Sequence, residues 1–316
     1  MAPGRADRPN ELAGDSVRCP FCAGNESLTP PDLLRAPRSP TEPWRARIVP
    51  NRFPVAMDGD APLARAAPER ASGADRPSHG VHDVVIESPA HLASILAIDP
   101  VGWREVWELC RERLAELSCR GDLAWATVFK NSGARAGASL AHVHSQLVGL
   151  DFVPPAIEAE LLAAGRSDDP FGDCLRRAAA EDRIVEERGE LVAVAAAAPR
   201  QPFETWILPR TAERHFHETS ADRVAALAAL TQSVIGRLDR LVPGAHYNWW
   251  LHQAPYRAPA GTKSPPTPAA DPAADRWHWH LEILPRINGL AGFELGAGCH
   301  ITTVTPRDSA RLLREA

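Results

Sequence analysis

The chain has 316 residues, with 35 Lys and Arg against 40 Asp and Glu for a net charge of −5, and 44% of its residues are apolar. That length and balance describe a globular chain with one large or two ordinary cores, and the slight negative charge gives no basic face for nucleic acid. No apolar run approaches the roughly eighteen residues of a membrane helix. The first residues lack a signal-peptide pattern and the six cysteines are too scattered for a disulfide scaffold, so the expected compartment is the cytoplasm.

Residues 1–17 are polar and carry Arg5 and Arg8, an arm rather than a core element. Cys19-Pro-Phe-Cys22-Ala-Gly-Asn25 follows as a tight knuckle, whose two-residue spacing lets both thiolates face one tetrahedral zinc. Residues 45–49 predict a strand running into Pro50-Asn51-Arg52-Phe53-Pro54, where the prolines impose an extended turn. The stretch 57–80, rich in Ala, Pro, Gly and charge, reads as a loop. Residues 81–87 predict a strand closed by Ser88-Pro89-Ala90-His91, and the spacing of Val101, Val106, Leu109, Leu114 and Leu117 predicts a helix over 99–118.

The chemistry concentrates next. A buried strand over 125–129 leads into Asn131, then a loop containing Gly133, Gly137 and Ser139, then His142-Val143-His144-Ser145-Gln146. In an extended segment His142, His144 and Gln146 share one face. A loop of backbone N–H groups beside that face suits a phosphate, and a neutral imidazole aimed at phosphorus is a nucleophile. His144 is the candidate, with its second ring nitrogen donating to a backbone carbonyl. Gln146 can hydrogen-bond a phosphoryl oxygen without supplying a proton; a hydrolase of similar design would carry a third histidine there. His91 and His142, each just past a strand, complete a zinc set with Cys19 and Cys22. That zinc would be structural, fixing the backbone two residues before His144. Arg5, Arg8 and Arg52 are candidate phosphate or base contacts.

Helices are predicted over 158–163 and 174–187, strands over 191–197 and 203–209, a helix over 220–241, strands over 247–251 and 277–285, and a last helix from Pro306. The two halves rhyme: strand, turn, long helix, strand, loop, then a strand with His-x-His, so that His142 to Gln146 aligns with His278 to Glu282. An internal duplication follows, divided as 1–187 and 188–316, with an α+β architecture of antiparallel sheets and packed helices. Glu160, His252, His280 and Glu282 are candidates for a second metal site of N/O type, suited to zinc or iron. His79, His82, His215, His217 and His246 fall into no constellation.

These motifs together resemble the galactose-1-phosphate uridylyltransferase family, a branch of the histidine-triad superfamily with two fused triad-like domains. The resemblance rests on Arg5 to Pro9, Cys19 to Asn25, Asn51-Arg52, Ser88 to His91, Asn131 to Gln146, Phe203-Glu-Thr, His252 and the His280 strand. It implies a two-step transfer in which His144 takes a nucleoside monophosphate from a nucleotide sugar and passes it to a sugar 1-phosphate, with UDP-glucose and a hexose 1-phosphate the expected pair and ADP-glucose with inorganic phosphate as acceptor the alternative. It further implies zinc at Cys19, Cys22, His91 and His142, nucleotide-phosphate contacts from Asn131, Ser139 and Gln146, and a second metal at Glu160, His252 and His280. A homodimer is the family's common state. Val143 replaces a proline of the transferases, Glu282 stands where a histidine ligand is usual, and in the sugar-binding tail Glu294 is kept while His300 replaces a glutamine. The run Gly292 to Cys299 is closer to the ADP-glucose phosphorylase branch.

Overall fold

The computed structural model describes residues 19–58, 79–256, 275–289 and 291–316. Arg5, Arg8 and most of the two Ala/Pro-rich stretches lie outside them. The described elements are β1 (Leu34–Ala36), β2 (Ala46–Pro50), β3 (Gly80–Ile86), α1 (Pro100–Ser118), β4 (Trp125–Ser132), β5 (His144–Leu150), α2 (Pro155–Ala164) and α3 (Pro170–Ala180). Then come β6 (Ile184–Arg188), β7 (Leu191–Ala195), β8 (Thr205–Pro209), α4 (Ala221–Leu241), β9 (Tyr247–His252), β10 (His280–Pro285), α5 (Gly292–Ala297) and α6 (Pro306–Glu315).

All ten strands join one sheet in the order β1-β2-β3-β5-β4-β9-β10-β8-β7-β6. Read from either end the order is the same once each strand is exchanged for its repeat mate: β2 for β7, β3 for β8, β5 for β10, β4 for β9. The duplication in the sequence is thus a duplication in topology. Its seam is the antiparallel pairing of β4 with β9, from Phe129 opposite Trp250 to Ser132 opposite Tyr247.

α1 and α4 lie together on one face. Asp99 starts α1 by accepting from Val101 N and Gly102 N ahead of Pro100, and Ser220 starts α4 by accepting from Arg223 N. Trp103, Trp107 and Trp249 pack where these helices cross the seam, with ring centroids 5.9–6.1 Å apart. Trp103 Nε1 donates to Thr231 Oγ1 at 2.9 Å, satisfying the indole's one polar atom inside the core. The opposite face is covered in two patches. The first half has the knuckle, with Phe21 and Trp44 over Val84 and Ile86; the second has α2 and α3, with Ile157, Phe171 and Leu175 near Trp277.

Three local expectations are corrected. Val101 is exposed, because the buried side of α1 runs through Trp103, Val106, Trp107 and Leu114. The helix predicted over 174–187 ends at Ala180, where Asp182 takes a left-handed conformation (φ 56°) and the chain returns as β6, an edge strand with a register shift between Ile184 and Glu186. Among residues 277–285 the regular strand starts only at His280; His278 makes an isolated bridge to Glu213 instead.

Candidate active site and metal centres

β5 carries the alternation. Val143 and Leu147 join the core under the helices, while His142, His144 and Gln146 face the knuckle. His144 is 7% exposed, its ring 5.3 Å from that of Phe21. Its Nδ1 lies 2.8 Å from the carbonyl of His142, a donor's position, which places the ring's lone pair on Nε2. Gln146 is oriented by a histidine that the sequence did not single out. His82, on β3, accepts from Val55 N on Nδ1 (3.0 Å) and so donates from Nε2 to Gln146 Oε1 (3.0 Å), turning the amide N–H₂ of Gln146 into the available donor. Alternation along β3 puts His82, Val84 and Ile86 on one face, but only the pairing of β3 with β5 makes it the face of His144. Asn51 lies beside the group, its Oδ1 accepting from Phe53 N at 2.8 Å, and Arg52 follows it on the surface.

Behind β5 is a buried charge pair. Lys130 Nζ donates to Glu87 (2.5 Å) and to the His144 carbonyl (2.8 Å), while Ser145 Oγ donates to the other oxygen of Glu87 (2.5 Å). Lys130 is 2% and Glu87 0% exposed. The backbone just after the candidate nucleophile is therefore held twice, at the His144 carbonyl and at the side chain of Ser145.

The loop before β5 makes two positive-φ turns, at Gly133 and Gly137 (both φ +83°), around a short 3₁₀ turn. A Cβ on Gly133 would lie 2.2 Å from Cδ2 of His246, whose ring covers the glycine while its Nδ1 accepts from Arg135 N. Asn131 is pinned by Asn248 Nδ2 at 2.7 Å across the seam. Ser139 is half-buried farther along the loop. A cavity of about 380 Å³ opens here, with Asn131, Gly133, His144, Asp239 and His246 in its wall.

Cys19, Cys22, His91 and His142 converge. Cys22 Sγ is 3.4 Å from His91 Nδ1 and 3.5 Å from His142 Nδ1, and Cys19 Sγ is 3.5 Å from His142 Nδ1. Sulfur and nitrogen ligands on one tetrahedral zinc are about 3.5 Å apart, so the residues fit the ion. His142 Nε2 lies 2.8 Å from the Ser88 carbonyl, which fixes the proton there and offers Nδ1 to a metal. Burial holds His142 down at about 4, and burial together with the Cys19 charge pushes the Cys22 thiol up to about 11. Two imidazoles and two thiols converging in this way form a donor set that a divalent cation completes.

A second cluster lies on the other half. Glu160 from α2 meets His252 and His280, which face each other across β9 and β10. Its oxygens are 2.8 Å from His252 Nδ1 and 3.0 Å from His280 Nε2, and Glu282 Oε1 is 3.8 Å from both. Both nitrogens are buried without a hydrogen bond of proper geometry, so this set fits an N/O-bound cation too. Glu282 is shared: its other oxygen is bound by Arg200. Burial works against a charge on His280, but Glu160 outweighs it and pushes the imidazole up to about 10.

The tail is not brought to this chain's own His144 group. Glu294 accepts from Ala291 N within the exposed α5, and His300 is exposed, as are Phe293, Leu295 and Ile301. Among the described residues no helix is long and apolar enough to cross a membrane.

With this geometry in hand, comparison with known proteins is direct. Residues 4–154 match the model of the galactose-1-phosphate uridyl transferase N-terminal domain, and residues 92–315 match a domain of unknown function, DUF4921. ADP-glucose phosphorylase of Arabidopsis thaliana is 32% identical over 100% of this chain and 89% of its own. Galactose-1-phosphate uridylyltransferase of Thermotoga maritima is 24% identical over 98% and 93%. The crystal structure of the Arabidopsis phosphorylase with bound ADP-glucose superposes with a TM-score of 0.80 at 31% identity, covering 99% of this chain and 94% of that one. The chain belongs to the galactose-1-phosphate uridylyltransferase family, and with it to the nucleotidyltransferases.

Proposed function

We propose that the protein moves a nucleoside monophosphate from a nucleotide sugar to a phosphate acceptor through a covalent nucleotidyl-histidine at His144. The observation that carries this reading is the Nδ1 contact of His144 with the His142 carbonyl, which leaves Nε2 as the basic nitrogen. Nε2 attacks the α-phosphorus, the bond from phosphorus to the bridging oxygen breaks, and the sugar 1-phosphate departs with the electron pair. An oxygen of the acceptor phosphate then attacks the same phosphorus and expels Nε2. Gln146 donates its amide to a non-bridging oxygen, and the loop of Asn131, Gly137 and Ser139 cradles the charge that develops there. Cys19, Cys22, His91 and His142 would hold zinc, which would steady the His142 backbone whose carbonyl orients His144. Glu160, His252, His280 and Glu282 would hold a second zinc or iron.

The donor is ADP-glucose and the acceptor inorganic phosphate, a reading supported by the likeness to the Arabidopsis phosphorylase along the whole chain. Transfer from UDP-glucose to a hexose 1-phosphate is the second reading, supported by the match of residues 4–154 to the uridyl transferase domain. Arg5, Arg8, Asn51 and Arg52 contact the nucleotide. The repeats 1–187 and 188–316 act as two triad-like domains, and a second copy of the chain in a homodimer covers the tail that carries Glu294 and His300. The enzyme works in the cytoplasm.

Intact-mass measurement after brief incubation with each nucleotide sugar tests this. A gain equal to AMP from ADP-glucose, absent in His144→Ala and discharged by inorganic phosphate, is the expected result. A gain equal to UMP from UDP-glucose selects the second reading, and no adduct with either donor on zinc-loaded protein removes both.

A further inference from the structure

We propose that His215, His217 and Glu218 form a further divalent-cation site, with two nitrogens and one carboxylate oxygen, for a borderline ion such as zinc. These residues occupy the short turn between β8 and α4, on the helix side of the sheet and away from both clusters described above. Their donor atoms lie within 4.8 Å of one another.

Packing fixes the turn before any ion arrives. Phe216, between the two histidines, is fully buried against Trp107 and Trp279 (ring centroids 5.7 and 5.1 Å), and its N–H donates to Gln253 Oε1 at 3.1 Å. With Phe216 locked in the core, the flanking imidazoles come together, 5.2 Å between centroids and 18° between planes. Two imidazoles on one tetrahedral ion, each nitrogen about 2 Å from it, are separated by about 5 Å. The pairs at the other two clusters have the same spacing, 5.3 Å for His91 and His142 and 5.1 Å for His252 and His280.

His215 is held from both of its nitrogens. His215 Nε2 faces the Pro255 carbonyl at 3.4 Å, which leaves Nδ1 toward Glu218 Oε1 at 3.3 Å. This repeats the device at His142, where a carbonyl on one nitrogen aims the other at a metal. Nδ1 of His217 is buried and has no hydrogen-bond partner among the described residues, a cost that an ion removes. Burial, then the neighbouring His215, lowers the pKa of His217, with Glu218 opposing. Glu218 is exposed, so the remaining coordination positions open to water or a small anion.

The test is zinc binding by the full-length, zinc-loaded enzyme, read as metal content by mass spectrometry after dialysis at micromolar free zinc. His217→Ala is expected to hold one equivalent less than the unaltered protein, and Glu218→Gln, at an exposed position that the fold does not need, to bind that equivalent at least about tenfold more weakly. Cobalt in this site should show weak d–d bands without the thiolate charge-transfer band of the cysteine cluster. Nucleotidyl transfer should be unchanged in both variants, which reports that they are folded. Equal zinc content and affinity in the unaltered protein and in Glu218→Gln, together with equal content in folded His217→Ala, would overturn the assignment.

Discussion

His280 is the second half's copy of His144. Each opens its strand, and each turns Nδ1 to the carbonyl two residues earlier, at 2.8 Å for His144 and 3.0 Å for His280. Two residues on stand Gln146 and Glu282. The frame is one frame used twice; the neighbours make the difference. His144 has a neutral amide beside it, oriented by His82, whereas His280 faces the carboxylates of Glu160 and Glu282. Carboxylates there repel a phosphate and attract a cation or a proton, so the second copy cannot do the first copy's work.

The route from the metal cluster to His144 is short. His142 belongs to the cluster that could hold a metal through its ring, and anchors His144 through its carbonyl. Cys22→Ser should therefore lose one zinc per chain, measured by elemental analysis, and slow nucleotidyl transfer by about tenfold or more. A transfer rate that survives loss of the zinc would show that the carbonyl is held without it.

Lys130 and Glu87 form a buried charge pair directly behind His144. Lys130→Met strands Glu87 without a counter-charge and should cost about 3–5 kcal/mol in denaturant unfolding. Adding Glu87→Gln to that variant should return a good part of the loss. If the double variant is no more stable than the single one, the pair is not the reason for the loss.

Gly133 and Gly137 have the same φ but different surroundings. Alanine at Gly133 puts Cβ against the His246 ring, whereas at Gly137 the nearest atom, Asn131 Nδ2, is 4.0 Å away. Gly137→Ala should cost about 1 kcal/mol, for backbone strain alone, and Gly133→Ala distinctly more, with displacement of the loop and weaker donor binding. Thermal melts and the Michaelis constant for the nucleotide sugar, compared between the two, decide it.

A pH signature is expected from Asp122. Its hydrogen bonds from Arg120 hold it well below the usual carboxylate range, with burial opposing and His79 assisting. A depressed pKa contributes stability above the unfolded value, near pH 4, and that contribution fades as pH falls toward the folded value. Asp122→Asn should thus cost about 1 kcal/mol at neutral pH after solvent screening, and the gap to the unaltered protein should narrow below about pH 4. A gap that stays constant down to pH 2 would point to lost packing instead.

Much of this protein was legible in one dimension. Periodicity located the long helices, because α1 and α4 each bury one stripe, and alternation put His142, His144 and Gln146 on one face because a strand's period is two. The repeat of His-x-His gave the duplication. Short-range chemistry also located the knuckle, since Cys19 and Cys22 are close enough in sequence to face one ion.

What needed the tertiary structure depended on contacts between distant segments. Only the pairing of β3 with β5 sets His82 on Gln146, and only the pairing of β4 with β9 merges two repeats into a single sheet. Lys130 finds Glu87 across 43 residues, and Arg200 reaches Glu282 across 82. The turn at His215 became a candidate site once Phe216 was seen locked in the core. Periodicity is a local property of the chain, set within a few residues; which charge neutralises which, and which nitrogen is left buried without a partner, is fixed only when the layers close.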